Sequence, residues 1–448
     1  MNNLLQKSQA SYRRNRAASA VRAALIGLAF VHGATLPENR AEDGSGDLYE
    51  PVGMLLTWQS DPTRTMTIDW HTLPGEHLPR PPSILYREEG SEGDWQKVPG
   101  TFHAFPFTSR TVKRVELTGL EPGTSYSFRI GPDAGAFPKS RTYSFRTMPS
   151  DLSEPIRFAA GGDTGRSRER FGGMNEVAVE QDIEFIALGG DLAYADGGHR
   201  DHRVELGTTK AWWESWFDVV KETLITEEGR VIPILAGIGN HEVWRGYVTS
   251  HPEYEATDEW RERMAPIYYN VFAFTGQPGY AAIDFSDYLS LIFLDSHHTN
   301  RVEGKQTEWL ERVLEERRDV PHVFPIYHVA SFPAHRDFDR PRKVSIREHW
   351  VPLFEENGLK VVFENHDHTY KRTPPIRDGR IDPDGVVYLG DGNWGFTGRE
   401  HHDVDETWYL EHAEPTQHFY LVTLDSEGSR FEAINIDGEV FDRYPEGD

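Results

Sequence analysis

Hydrophobic positions change their period once along the chain. Between about Val52 and Met148 apolar and polar residues alternate. Met66, Ile68 and Trp70 interleave with Thr65, Thr67 and Asp69, and Tyr126, Phe128 and Ile130 repeat the pattern after the turn Gly119-Leu-Glu-Pro-Gly123. A period of two broken by short Gly/Pro turns predicts antiparallel strands with one buried face, hence a β-sandwich over residues 50–148. Pro149 to Pro155 reads as a linker. From Ile156, over residues 155–440, short runs of consecutive apolar residues take over and alternate with helix-like segments, as in strands buried on both faces. Ala211 to Val220 predicts a helix that buries Trp213, Trp216, Phe217 and Val220. Thr307 to Glu316 and Arg347 to Glu356 read as helices too; Leu289–Leu294, Val323–Tyr327, Val386–Leu389 and Phe419–Leu424 read as strands. The expected fold class is α+β with two domains, a β-sandwich followed by an α/β domain whose two βαβ-type halves meet at one site. Glu242 to Asn270 is too long for a plain connection and is expected to shape a rim.

The apolar runs end in a recurrent way. Phe158-Ala-Ala-Gly-Gly leads into Asp163, and Ile183 to Gly190 leads into Asp191, with Tyr194 three residues on. Val231-Ile-Pro-Ile-Leu precedes Asn240 and His241, Val323-Phe-Pro-Ile-Tyr precedes His328, and Leu359-Lys-Val-Val-Phe precedes His366 and His368. The carboxyl ends of strands in open α/β sheets are where ligands bind. Taken singly, each residue has an ordinary explanation, since an acid after glycines is a common turn residue and a strand-end histidine commonly packs or caps. Five oxygen- or imidazole-bearing strand ends in series read as a metal site.

Charge and composition narrow the function. The formal net charge of −25 disfavours nucleic acid and anionic membranes as partners. An anionic substrate would need local positive charge, which metal ions supply. With no cysteine, thiolate chemistry and Cys-based zinc sites are excluded. Arg13, Arg14, Arg16 and Arg22 followed by the apolar run Ala23–Val31 and the small residues Gly33-Ala34 read as a signal peptide over residues 1–34, so export to the periplasm or medium is expected. The Arg13-Arg14 pair hints at the twin-arginine route. Nine apolar residues are too few for a membrane span.

Taken in order, Gly162-Asp163-Thr164-Gly165, Gly190-Asp191-Leu-Ala-Tyr194, Gly239-Asn240-His241-Glu242, Tyr327-His328 and Asn365-His366-Asp367-His368 resemble the signature of the purple acid phosphatases, a branch of the calcineurin-like metallophosphoesterases. Leu117-Thr-Gly-Leu-Glu-Pro-Gly-Thr-Ser-Tyr126 resembles the tyrosine-corner strand of a fibronectin type III domain. The resemblance implies a ferric ion held by Asp163, Asp191, Tyr194 and His368. It also implies a divalent ion (Fe, Zn or Mn) held by Asn240, His328 and His366, with Asp191 bridging the two. Hard carboxylate and phenolate oxygens do suit a trivalent ion, while imidazole and amide suit a divalent one. It further implies that a metal-bound hydroxide attacks a small phosphate ester, that His241 faces the substrate phosphate, and that His335 is a second substrate-facing histidine.

Three features depart from the pattern. Asn365 replaces a glycine, a change expected to rest on the tolerance of asparagine for left-handed backbone. Pro325 stands where valine is usual. The loop Gly390-Asp-Gly-Asn393-Trp394-Gly395 carries an unusual tryptophan. His297, His298, His401 and His402 match no motif and are expected at the surface or rim. Monoester hydrolysis is the leading reading and diester hydrolysis the alternative. A non-catalytic metal- or phosphate-binding protein would have little use for His241, which ligates nothing in this scheme.

Overall fold

The computed structural model describes residues 50–74, 81–130, 140–165, 167–195, 206–390 and 392–446. The expected signal peptide and the Arg13-Arg14 pair lie outside the described residues, as does Asp391. No helix among the described residues is long and apolar enough to cross a membrane.

The alternating segment folds into two antiparallel four-stranded sheets. One orders Gly53–Thr57, Met66–Thr72, Thr111–Leu117 and Thr101–Ala104; the other orders Gln96–Pro99, Ser83–Glu88, Ser125–Ile130 and Thr142–Arg146. The interleaved Met66, Ile68, Trp70, Phe128 and Ile130 are buried between them. The Tyr126 hydroxyl accepts the Glu121 N–H at 2.9 Å, which ties the turn to the strand.

The remainder is built on two larger sheets. Three parallel strands, Ile234–Ala236, Phe185–Leu188 and Ile156–Gly161, continue antiparallel into His418–Asp425, Gly428–Asn435 and Val440–Tyr444. In the second sheet, Leu289–Leu294, His322–Val329, Val361–Asn365 and Val387–Gly390 run parallel, flanked by Ala281–Phe285, Tyr370–Arg372 and His412–Glu414. Successive side chains go to opposite faces of a strand. Phe158 and Phe185 join Phe293, Phe324 and Phe363 in the core shared by both sheets. Ala159, Ile186 and Leu188 join the cluster under the helices Arg168–Glu180 and Leu206–Thr223, with Trp213, Trp216, Phe217 and Val220 as expected. The helices Lys305–Glu316 and Pro341–His349 cover the second sheet. Both βαβ halves therefore present the carboxyl ends of their parallel strands to one another.

One detail differs from expectation, and one bears on the Pro325 departure. The single helix expected over Arg347–Glu356 is two, Pro341–His349 and Val351–Glu356, because Pro352 falls in the first turn of the second and cannot continue the first. Pro325 sits inside a strand paired on both sides, and the register toward Val361–Asn365 shifts between Ile326 and Val329.

The sandwich shares its core with the larger unit. The buried Trp58 ring meets Phe185 and Phe285 edge-on, with centroids 5.7 and 5.8 Å away. Arg114 forks onto Asp69 and donates to the Val271 carbonyl at 2.7 Å. Trp58→Ala should thus cost about 3–5 kcal/mol and lower the urea midpoint of one common unfolding transition, followed by fluorescence and circular dichroism together. Two transitions with only one displaced would show that the sandwich unfolds alone.

Candidate metal centre

Five loops at the carboxyl ends of the parallel strands converge. Asp163 follows Ile156–Gly161, Asp191 and Tyr194 follow Phe185–Leu188, and Asn240 and His241 follow Ile234–Ala236. His328 lies near the end of its strand, and His366 and His368 leave Val361–Asn365. The turns are abrupt: Asp163, Asp191, Tyr194, His366 and His368 all take left-handed φ, between 54° and 83°. Each such residue costs on the order of 1–3 kcal/mol and persists only where its surroundings over-determine it. Gly190 (φ 97°) allows closest approach, since a Cβ there would lie 2.5 Å from the Gly239 nitrogen.

The two carboxylates brace these loops. Asp163 Oδ2 accepts the His366 N–H at 2.8 Å, leaving Oδ1 2.8 Å from the Tyr194 hydroxyl and 2.9 Å from His368 Nε2. Asp191 Oδ1 accepts the His241 N–H at 2.7 Å, leaving Oδ2 3.1 Å from His328 Nε2. Asn240 Oδ1 is 3.3 Å and His366 Nδ1 3.0 Å from that same Nε2. The other ring nitrogen of His328 meets the Gly189 carbonyl at 3.1 Å, so the lone pair is turned into the site. The donors fall into two groups, Asp163/Asp191/His368 and Asp191/His328/His366, each with ligand atoms within 4.8 Å of one another, and Asp191 belongs to both. Tyr194 adds its oxygen to the first group and Asn240 to the second.

Sequence reasoning missed what holds Asp191. Glu242 is buried and accepts three backbone N–H groups, those of Asp191 (2.7 Å), Leu192 (2.8 Å) and Gly239 (2.8 Å). Burial first, and the Asp191 charge second, push its carboxyl up to about 7. It could have been suspected as the acid closing the Gly239–Glu242 motif.

The electrostatics fit a cation-binding role. Burial lowers the basicity of His328, but the Asp191 carboxylate more than offsets this and raises it to about 9. Burial, then Asp163 and Asp191, push the Tyr194 phenol far up, so it needs a strong local cation to lose its proton. A carboxylate pair, a phenol, an amide and three imidazoles around one buried notch suit a hard and a borderline ion side by side.

The comparisons agree with this geometry. Residues 51–147 match the family described as purple acid phosphatase, N-terminal domain, and residues 156–370 match calcineurin-like phosphoesterase. Purple acid phosphatase 21 of Arabidopsis thaliana is 25% identical over 295 residues, 65% of this chain and 60% of the relative. Probable purple acid phosphatase 20 of the same plant is 23% identical over 353 residues, 78% and 72% of the two chains. The chain thus spans about three-fifths of the first relative's length. The yellow lupin purple acid phosphatase PPD1 superposes with a TM-score of 0.68 at 16% identity, covering 87% of this chain and 73% of the lupin one. The structure of PhoD gives 0.63 at 13%, covering 88% and 87%. The chain belongs to the purple acid phosphatase family.

Its departures from the purple acid phosphatase pattern have local causes. Asn365 is not left-handed; it ends its strand, and the left-handed turn falls on His366, with φ 83°. The Asn365 amide instead donates to the Tyr327 carbonyl at 2.9 Å, in space left by glycine, where a Cβ on Gly162 would stand 2.5 Å from its oxygen. Trp394 is buried and donates its indole N–H to Asn175 Oδ1 at 2.9 Å, while its own N–H and that of Gly395 bind the Gly162 and Asp163 carbonyls. His298 and His297 are not rim residues. Asp295 caps the N–H groups of His298, Thr299 and Asn300 and turns that loop inward, burying His298 with its ring 5.4 Å from His328. His401 and His402 are half-buried. The exposed ring of His335 meets the Glu400 carbonyl at 2.6 Å; its backbone N–H, not its ring, reaches toward the site by bonding Asp367.

At neutral pH metal-free protein should hold a proton on His328 that a cation must displace. The affinity of the group Asp191, Asn240, His328 and His366 for a divalent cation should therefore rise about tenfold per pH unit between 7 and 9 and level off above. Calorimetry in buffers of different ionisation enthalpy should find about two protons released per chain at pH 7 when both ions bind, one from His328 and one from the Tyr194 phenol; release of none would contradict the assignment.

Proposed function

We propose that this chain hydrolyses small phosphoric monoesters at a dinuclear centre holding a ferric and a divalent ion (Fe, Zn or Mn). The observation that carries the reading is the membership of Asp191 in both donor groups. Asp163, Asp191, Tyr194 and His368 would hold the ferric ion, and Asp191, Asn240, His328 and His366 the divalent one. Bound there, the pair supplies Lewis acidity toward the phosphoryl oxygens and acidifies water enough to make it a nucleophile near neutrality.

The chain's own groups orient and protonate. His241 is held beside the donor groups without completing either: its ring stacks on Tyr194 at 4.1 Å and its Nε2 lies 3.8 Å from Asp191 Oδ2. Its side chain is 29% exposed, so it can meet a phosphate entering from solvent and give a proton to the departing alkoxide. The hydroxyl of Tyr247, 3.4 Å from Asn240 Oδ1 and 3.3 Å from His366 Nε2, can donate to a phosphoryl oxygen on the divalent side. Asp367, between His366 and His368, accepts the His335 and Arg336 N–H groups and pairs with the Arg336 guanidinium, fixing the loop that carries both imidazoles. Residues 1–34 support export of the enzyme, and the motifs' positions assign the chemistry to residues 155–440.

Purified protein should carry about two metal ions per chain, at least one of them iron. It should be coloured, since phenolate bound to ferric iron absorbs visible light. Tyr194→Phe should abolish the colour and lower, without eliminating, turnover; a variant that keeps its band would refute the ferric assignment. Matched aryl phosphate mono- and diesters should differ in kcat/KM in favour of the monoester at acidic to neutral pH, and a diester preference would make the alternative correct.

A further inference from the structure

The wall beside His366 is cationic in a chain of net charge −25. The guanidinium of Arg336 lies 3.0 Å and the buried Lys343 amine 3.7 Å from Asp367, so two cations share one carboxylate. Arg336 also donates to the His366 carbonyl at 3.2 Å. Next to them Arg342 is half-buried, its guanidinium carbon 3.7 Å from the centre of the Tyr247 ring. Among the described residues no carboxylate stands within ion-pair distance of Arg342, and burial first, then the like charge of Arg340, disfavour its charged form. The other end of the Tyr247 ring carries the hydroxyl that touches Asn240 and His366. An unneutralised guanidinium is thus held, already partly desolvated, one tyrosine ring away from the donor cluster.

Burying part of an arginine without an anion is unfavourable unless something else supplies the anion. Stacking on an aromatic face is favourable and fixes the direction of the fork without using its N–H donors. We propose that Arg342 is a specificity-determining residue that receives a second anionic group, carboxylate or phosphate, on the alcohol portion of the substrate. This rests on the phosphomonoesterase reading and extends it: the preferred substrate is a small phosphomonoester with another negative charge a few bonds from phosphorus. Arg336 and Lys343 are already committed to Asp367, so of these three described cations Arg342 is the one left to make that contact. The fork of N–H donors matches a carboxylate or phosphate edge in a way a lysine would not.

The test is equilibrium binding to the metal-loaded full chain, independent of turnover. Calorimetry would compare 2-carboxyethylphosphonate and ethylene-1,2-bisphosphonate with propylphosphonate, which lacks the second charge. The protein should bind one or both charged ligands about ten- to a hundredfold more tightly than propylphosphonate, and which of them does so distinguishes carboxylate from phosphate. In Arg342→Ala, and in Arg342→Gln should the first fold poorly, the ratio should collapse to about one with metal content unchanged. A ratio below about threefold in the unmodified protein, or a ratio that survives both substitutions, overturns the proposal. Turnover of simple aryl phosphates without the preference would leave the hydrolase reading intact and refute this one. The preference without turnover of any monoester would uphold Arg342 and refute the hydrolase reading.

Discussion

Everything at this site depends on two buried carboxylates that each act in two directions. Asp163 and Asp191 direct one oxygen at a backbone N–H of a neighbouring ligand loop and the other into the notch. The first interaction fixes where the imidazoles stand, and the second leaves negative charge in a dry interior. Such charge is costly unless compensated. Here the Asp191 carboxylate raises the basicity of His328, whose proton offsets part of that charge until a cation takes its place. Glu242 extends the same logic outward: its carboxylate accepts the N–H groups of Asp191 and Leu192 on one loop and of Gly239 on another, tying the two together.

The fold serves this constraint. Two sheets pack with apolar side chains on both faces of their parallel strands, and the polar donors gather at the carboxyl ends of those strands. The left-handed turns at Asp163, Asp191, Tyr194, His366 and His368 aim side chains into the gap instead of along the strands. The strain is absorbed by the packing around them, including Trp394 behind the first loop and Asn365 among glycines. The sandwich contributes Trp58 to the same core and ties Arg114 to the Val271 carbonyl, and none of its described residues belongs to the donor groups.

Much of this was legible in the sequence because its physics is local. A period of two and apolar runs of four to six residues follow from which faces are buried, and an acid or histidine after such a run is placed by chain direction alone. The convergence of Asp163, Asp191, His328, His366 and His368 could thus be read before any coordinates. What could not be read depends on contacts distant in sequence. His298 looked like a rim residue because its ring is held by the Gly246 carbonyl and lies beside His328, both far along the chain from it. Asn365 was given the wrong conformation because the space for its side chain comes from Gly162, Gly189 and Gly392, on other loops. Tyr247 and Arg342 are 95 residues apart and meet only once the helix Pro341–His349 packs beside the long excursion after Glu242.

The central claim is that one carboxylate, Asp191, joins two cation sites. Anomalous diffraction from crystals of the metal-loaded protein, collected on both sides of the iron edge, tests it most directly. Two metal peaks should appear about 3.5–4 Å apart, both in contact with Asp191, with Tyr194 on the iron alone. A single peak, or two peaks of which one lies beyond the reach of Asp191, would contradict it.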